Sequence, residues 1–337
     1  MKPTLLISSK VMAEFGPRLH EILAAAPRQL EVLPFTASRP LTSDEANSIE
    51  AAYYSRDIWE GTEKSVLSTA AQAFWNIVDR APNVKWMAVY SAGMDQKRYQ
   101  DAMKRGMRLT SSAGAQAESV GLACATGVLA LARGVPHWLG AQQRREWSPL
   151  RGRDVPPDIP GQTAVIVGTG YIGSVIGRVL QATGMKTIGV RRHVAPAQYF
   201  DDVQPPAALD SLLPACDWLI IACPLAPETH NLIDSRRLSL MKPGAGVANI
   251  ARGEIIDEAA LAAALQAQRL RHAYLDVFHT EPLPVDSPLW DLPNVLISPH
   301  NAGASTGTYA RGVEIFLRNL ANYLREKPLE NEASLSN

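Results

Sequence analysis

The chain has 337 residues, 46% of them apolar and 20% charged, and its 33 basic and 33 acidic side chains cancel. That length exceeds what one hydrophobic core fills and indicates two domains, while the neutral balance leaves no electrostatic footprint for nucleic acid or an anionic membrane. No apolar run reaches the ~20 residues of a membrane span, and the run after Met1 is too short for a signal peptide; with three unclustered cysteines, Cys124, Cys216 and Cys223, the expectation is a cytoplasmic protein with reduced thiols, no disulfide framework and no metal site.

In chain order, residues 5–8 read as a strand, 12–25 as a helix and 30–35 as a second strand. A strand at 51–54, a helix around 66–78, a strand at 86–90, a helix after Asp95 and a strand at 107–110 follow. Strands alternating with helices at this spacing indicate a parallel sheet covered on both faces. Ligands of such sheets bind beyond the carboxyl ends of the strands. That rule selects residues 55–57, directly after AAYY, and 91–95 (SAGMD), directly after WMAVY. Small residues at Ala92 and Gly93 leave backbone N–H groups free to approach a carboxylate, although a plain strand-to-helix turn reads the same way.

Residues 116–131 form a long apolar helix, closed by Gly134 and Pro136. A helix at 137–147 and an exposed connector, RGRDVPPDIPG, come next. A long helix followed by an extended arm is one way for a chain to reach across a dimer interface.

The stretch 160–192 carries the parts of a dinucleotide-binding β-α-β unit in their required order. Residues 163–167 are a β-branched apolar run, followed by Gly168-Thr169-Gly170-Tyr171-Ile172-Gly173, a helix, and a second strand at 186–190. Gly168 permits the tight turn, Gly170 lets backbone approach a pyrophosphate, and Gly173 lets the helix pack close to the sheet. An NAD-binding unit usually carries an acidic residue roughly twenty positions past the glycines, to accept from the ribose hydroxyls. This chain has Arg191, Arg192 and His193 there. A guanidinium pair suits a 2′-phosphate, so the expectation is NADP(H) over NAD(H).

Further buried strands are expected at 218–222, 246–250, 272–277 and 295–298, ending in the loops CPLAPETH, ARGEIID, FHTEPLP and PHNAG. A helix after Gly303 can return the chain to the first unit, and from Lys327 onward the polar tail is expected to fray. Arg252, Glu281 and His300 each fall in a loop after one of these strands. Together they supply what reduction of a 2-oxo acid needs: a cation for the carboxylate and carbonyl, an acid for the forming alkoxide, and a carboxylate to hold that acid.

The segments GTGYIG, PLAPETHNLI, MKPGAGVANIARGEIIDEAAL, YLDVFHTEPLP and SPHNAGAS resemble, in order and spacing, the NAD(P)-binding half of the D-isomer-specific 2-hydroxyacid dehydrogenase family. The likeness runs from about residue 112 to 305, and SAGMD is the main match before it. It implies an α/β fold of two Rossmann-like, doubly wound parallel-sheet domains. The cofactor domain, 113–302, would be inserted into a flavodoxin-like substrate domain made of 1–112 and 303–337, with the active site between them and a homodimer as the assembly.

Carried over from the resemblance, Arg252 would pair with the substrate carboxylate and carbonyl, His300 would be the acid and base, and Glu281 would hydrogen-bond His300. Ala92 and Gly93 would donate to the carboxylate, Asp276 would contact the nicotinamide carboxamide, and Cys223, Pro224 and Ile250 would line the cofactor cleft. Tyr53, Tyr54, Arg56, Met94 and Trp147 are candidates for the side-chain pocket, with core packing an equal reading for Tyr53 and Trp147. His279, two residues from Glu281, is the rival acid. Without a regulatory C-terminal domain a long-form phosphoglycerate dehydrogenase is not expected, and Glu281 in place of Gln speaks against a formate dehydrogenase. The resulting expectation is NADPH-dependent reduction of a small 2-oxo acid to the D-2-hydroxy acid. The alternatives are a dinucleotide-sensing interaction protein of the corepressor type and an enzyme acting on a carbonyl or imine without a carboxylate.

Overall fold

Residues 2–62 and 66–334 are described in a computed structural model of the chain. They divide into two units, Met1–Gln116 with Ser305–Asn337, and Ala117–Ala304. Each is built on one sheet whose strands all pair in parallel.

In the first unit the strands are β1 (Thr4–Ser8), β2 (Glu31–Phe35), β3 (Ile49–Tyr54), β4 (Trp86–Val89) and β5 (Arg108–Thr110), in the order β2-β1-β3-β4-β5. The inner strands are buried along their whole length, so they read as continuous apolar runs. Pro34 cannot donate to a ladder and sits in β2, an edge strand. The pleat sorts neighbouring side chains to opposite faces. Leu5, Ile7 and Tyr53 face a core shared with Phe316 and Leu320 of the helix Thr306–Leu324. Leu6 and Tyr54 face the core of the helix Thr69–Arg80, with Phe74 and Trp75.

The C-terminal segment does not fray as expected. Ala333 N–H donates to Leu109 O at 2.9 Å, and Arg108 forks onto Glu332 at 2.7 and 2.9 Å. Asn319 bonds both the N–H and the C=O of Glu330. The polar residues that made this tail look solvated are the ones that tie it to the open edge of β5. Residues 335–337 lie outside the described set.

The second unit has seven strands: β6 (Thr163–Val167), β7 (Lys186–Val190), β8 (Asp202–Gln204), β9 (Trp218–Ile221), β10 (Gly246–Asn249), β11 (His272–Leu275) and β12 (Val295–Ile297). Their order is β12-β11-β10-β9-β6-β7-β8. The chain therefore winds outward from β6 to β8, returns to β9, and winds the other way. Ligands of such sheets bind where this reversal opens a crevice at the carboxyl ends of β6 and β9. The sequence reading missed β8, a half-exposed three-residue edge strand too short to show a period.

The first long helix of this unit is Ala117–Ala132, and the next runs Val135–Arg144. Gly134 adopts φ 76° and Pro136 lies in the following first turn. The pair thus starts the second helix as well as stopping the first. Trp147 falls outside that helix and is 98% exposed. Among the described residues no single helix is long and apolar enough to cross a membrane.

Candidate active site

At the end of β6 the chain must turn sharply into the helix Tyr171–Ala182 without blocking the crevice. Gly168 makes the turn at φ 105°, a region that L side chains avoid. A Cβ there would also sit 2.6 Å from Ala222 O and 2.7 Å from Cys223 N, at the end of β9. At Gly173 a Cβ would collide with Gly168 O. At Gly170 it would meet nothing within 4 Å, so what its absence provides is clearance above the helix N-terminus. No side chain caps that helix. Its first-turn amides therefore have no side-chain cap, and this donor set fits a pyrophosphate.

Tyr171 is exposed and Ile172 packs against the core beneath. Pro224 is exposed, and burial pushes the Cys223 thiol up to about 11. The Ile250 side chain, directly after β10, is 6% exposed and packs in the core cluster with Ala248 and Tyr274. Gly168 N–H donates to Val190 O at 2.9 Å, so Arg191 begins directly beside the glycine turn. Arg191 is half-buried and Arg192 exposed. Among the described residues neither guanidinium has a hydrogen bond or ion pair within the protein.

The strands β10, β11 and β12 lie side by side, so the loops after them emerge together at the same edge as the glycine turn. Arg252 follows β10, where buried Asn249 receives Ala251 N–H at 3.1 Å and donates to Arg252 O at 2.9 Å. Arg252 Nη1 donates to Ala251 O at 2.7 Å. After β11, Glu281 folds back so that its Oε1 accepts Phe278 N–H at 3.0 Å. Its Oε2 lies 2.7 Å from Nδ1 of His300, in the loop after β12. The Glu281 side chain is 14% exposed and that of His300 49%. The carboxylate is thus held inside while the far edge of the imidazole faces out.

His300 itself has φ 50°, a conformation that costs a non-glycine residue on the order of 1–3 kcal/mol and persists only when neighbours over-determine it. Here they do. His300 N–H donates to Asp276 O at 2.8 Å. Asp276 Oδ1 accepts from Ser298 Oγ at 2.6 Å, Asn301 N–H at 2.9 Å and Ala302 N–H at 3.0 Å, and the Tyr274 hydroxyl lies 2.9 Å from Ser298 Oγ. Asp276 is 3% exposed. Its Oδ1 is committed to the loop that carries His300, a role not foreseen beside the expected contact with the cofactor amide. The missed signal was general: a carboxylate directly after a buried strand needs donors of its own, and the nearest small-residue loop supplies them. His279 is exposed, its backbone N–H bound by Glu258, and its ring has no carboxylate partner among the described residues.

In the first unit, Ala92 is exposed and Gly93 half-buried after β4, with Ser91 Oγ donating to Gly93 O at 3.1 Å. Arg56 is half-buried, 5.9 Å from the ring of Tyr90. Met94 packs partly against the core. Tyr54 corrects an expectation: it is 1% exposed and wedged against Phe74 and Trp75. Tyr53 is likewise core, stacked on Phe316 at 4.1 Å. Both end a strand covered on both faces, so neither ring has solvent to face.

Comparisons with known proteins agree with this fold. Residues 125–302 match the model of the D-isomer specific 2-hydroxyacid dehydrogenase NAD-binding domain. A glyoxylate reductase of Thermofilum pendens is 34% identical over 74% of this chain and 74% of its own length. A glyoxylate/hydroxypyruvate reductase B of Pectobacterium atrosepticum is 34% identical over 91% of this chain and 90% of its own. Among solved structures, a D-isomer specific 2-hydroxyacid dehydrogenase of Xanthobacter autotrophicus Py2, in complex with NADPH and MES, superposes with a TM-score of 0.75 at 26% identity, covering 99% of each chain.

Proposed function

The chain belongs to the D-isomer specific 2-hydroxyacid dehydrogenase family, and from that premise we propose that it reduces a small 2-oxo acid of the glyoxylate or hydroxypyruvate kind to the D-2-hydroxy acid, with NADPH preferred over NADH. The observation that carries the reading is the 2.7 Å pair of His300 Nδ1 and Glu281 Oε2, one strand away from Arg252. Bound on the glycine turn, the reduced dinucleotide supplies the hydride. Arg252 pairs with the substrate carboxylate and draws charge toward the carbonyl oxygen, an interaction that strengthens as the alkoxide forms. Glu281 accepts the Nδ1 proton of His300 and so fixes the tautomer, leaving Nε2 to deliver a proton to that oxygen in reduction and remove it in oxidation.

The cofactor preference rests on Arg191 and Arg192, two guanidinium groups beside the turn without internal partners among the described residues, where a carboxylate would repel a 2′-phosphate. The NADPH complex of the Xanthobacter relative lends it support. The names of the relatives favour glyoxylate and hydroxypyruvate and lend none to a corepressor-type protein. We further propose a homodimer, whose contact uses the exposed Trp138, Leu139 and Trp147 on the second helix and its arm. A panel of 2-oxo acids, followed at the NADPH absorbance and repeated with NADH, tests the reading. Turnover of glyoxylate or hydroxypyruvate with NADPH is expected, and no turnover of any 2-oxo acid with either cofactor overturns it.

A further inference from the structure

The loops of Arg252 and Glu281 meet at a single peptide group, that between Phe278 and His279. On one side lies Gly253, where a Cβ would collide with the Phe278 carbonyl carbon and oxygen and with the His279 nitrogen. Backbone of the β10 loop is therefore in direct contact with backbone of the β11 loop, with no side chain between them. On the other side is Glu258, the first residue of the helix Glu258–Gln266, whose Oε2 accepts His279 N–H at 2.9 Å. That helix is set by its own cap, Asp257, which accepts Ala260 N–H at 2.9 Å, and by Asp257 N–H donating to Ile233 O. One residue before the held peptide, Phe278 N–H donates to Glu281 Oε1, and Glu281 Oε2 meets His300 Nδ1. A continuous series of contacts thus runs from a fixed helix start to the imidazole.

We propose that Glu258 is a positioning residue for the Glu281–His300 pair. It touches neither substrate nor cofactor; it seats the Phe278–His279 peptide against Gly253 and so sets where Glu281 can reach. Its importance follows from the loop it holds. Past the buried Phe278, the segment 279–282 has exposed residues at His279, Thr280 and Pro282, and little apolar burial there opposes a shift. An error of an ångström at Glu281 is enough to separate it from His300, and displacements of that size cost catalysis heavily. The sequence offers no hint of this contact, because the acceptor is 21 residues from its donor and the donor is a backbone amide.

The inference rests on the proposed reductase reading for its kinetic consequence but not for its structural one. In Glu258→Ala, kcat with glyoxylate and NADPH should fall about tenfold with KM within about twofold, and the pH profile of kcat should change. Glu258→Gln should restore all three, since an amide oxygen still accepts from His279. In ligand-free protein two NMR readouts address the contact directly: the exchange rate of the His279 amide, and the downfield Nδ1 proton of His300, assigned by its loss in His300→Ala. Glu258→Ala should speed the first about tenfold and broaden or remove the second. If both signals stay as in the wild type, or if the variant loses thermal stability while kcat and its pH profile do not change, the positioning role is wrong. Failure of the wild-type protein to turn over any 2-oxo acid would instead overturn the reductase reading, and the two NMR signals would still decide the role of Glu258.

Discussion

His272 and His300 stand at opposite edges of one parallel sheet, at the start of β11 and just past the end of its neighbour β12. His300 is half-exposed with a carboxylate 2.7 Å from Nδ1. His272 is half-buried, and its Nδ1 is enclosed with no hydrogen-bond partner among the described residues. In register it faces Gly246 on β10, which in turn faces Trp218 on β9. A Cβ at Gly246 would lie 2.5 Å from the indole, so the bare position lets the Trp218 and His272 rings stack, 6.3 Å apart and 6° from parallel. Burial, and then the charge of Arg271, push the His272 imidazole down to about 4. The same residue type thus meets a carboxylate at the carboxyl edge and is kept neutral by burial at the amino edge. The surroundings differ: a carboxylate at one edge, burial and then a cation beside an aromatic face at the other.

The largest break in this contrast should come from His300→Ala. A positioned general acid contributes roughly 10²–10⁴-fold, so kcat should fall about a thousandfold with NADPH binding nearly unchanged. Arg252→Ala should come next, raising KM and lowering kcat together by about a hundredfold in kcat/KM, because its charge serves both the bound carboxylate and the developing alkoxide. Steady-state kinetics on the best 2-oxo acid check both. Normal turnover in His300→Ala with loss in His279→Ala would move the acid to the exposed ring.

The amino edge should answer to pH instead. The folded-state value of His272 lies below its ordinary 6.5, so between about 6.5 and 4 the unfolded chain takes up a proton that the folded chain refuses. Stability contributed by neutral His272 is therefore complete above pH 6.5 and is lost as pH falls toward 4. At pH 5 the loss is about 2 kcal/mol. His272→Phe keeps a ring against Trp218 and removes the titration. Denaturant midpoints at pH 5 and 7.5 should converge in the variant and differ in the wild type, with kcat the same in both proteins.

How much of this could be read from sequence follows the range of each interaction. β6, β9 and β10 are buried on both faces, and their apolar runs are visible at once. The glycine fingerprint is local, as is the occurrence of Arg252, Glu281 and His300 in loops after strands. What was hidden depends on distant partners. Glu332 looked like a solvated tail residue because Arg108 lies 224 positions away. That Asp276 also braces the His300 loop was hidden because the amides of Asn301 and Ala302 belong to another loop. Tyr54 looked like a pocket residue because it ends a strand beside a candidate loop, and only the helix Thr69–Arg80 shows that its ring is covered.

The smallest expected effect separates cations at the two edges. Arg191, Arg192 and Arg271 alike lack an ion pair or side-chain hydrogen bond among the described residues. If an unpaired guanidinium were merely a solvated surface charge, removing any of them would be kinetically neutral. Position predicts otherwise: Arg191 and Arg192 follow β7 beside the glycine turn, whereas Arg271 precedes β11 at the far edge. Arg191→Asp with Arg192→Ala should lower kcat/KM for NADPH about tenfold, the scale of one or two screened charge-assisted hydrogen bonds. NADH should gain or hold, since the new carboxylate can accept from ribose hydroxyls. Arg271→Ala should leave both cofactors unchanged. An NADPH preference that survives the double substitution would mean that the 2′-phosphate is read elsewhere, and that an unpaired cation at the carboxyl edge is no more functional than one at the amino edge.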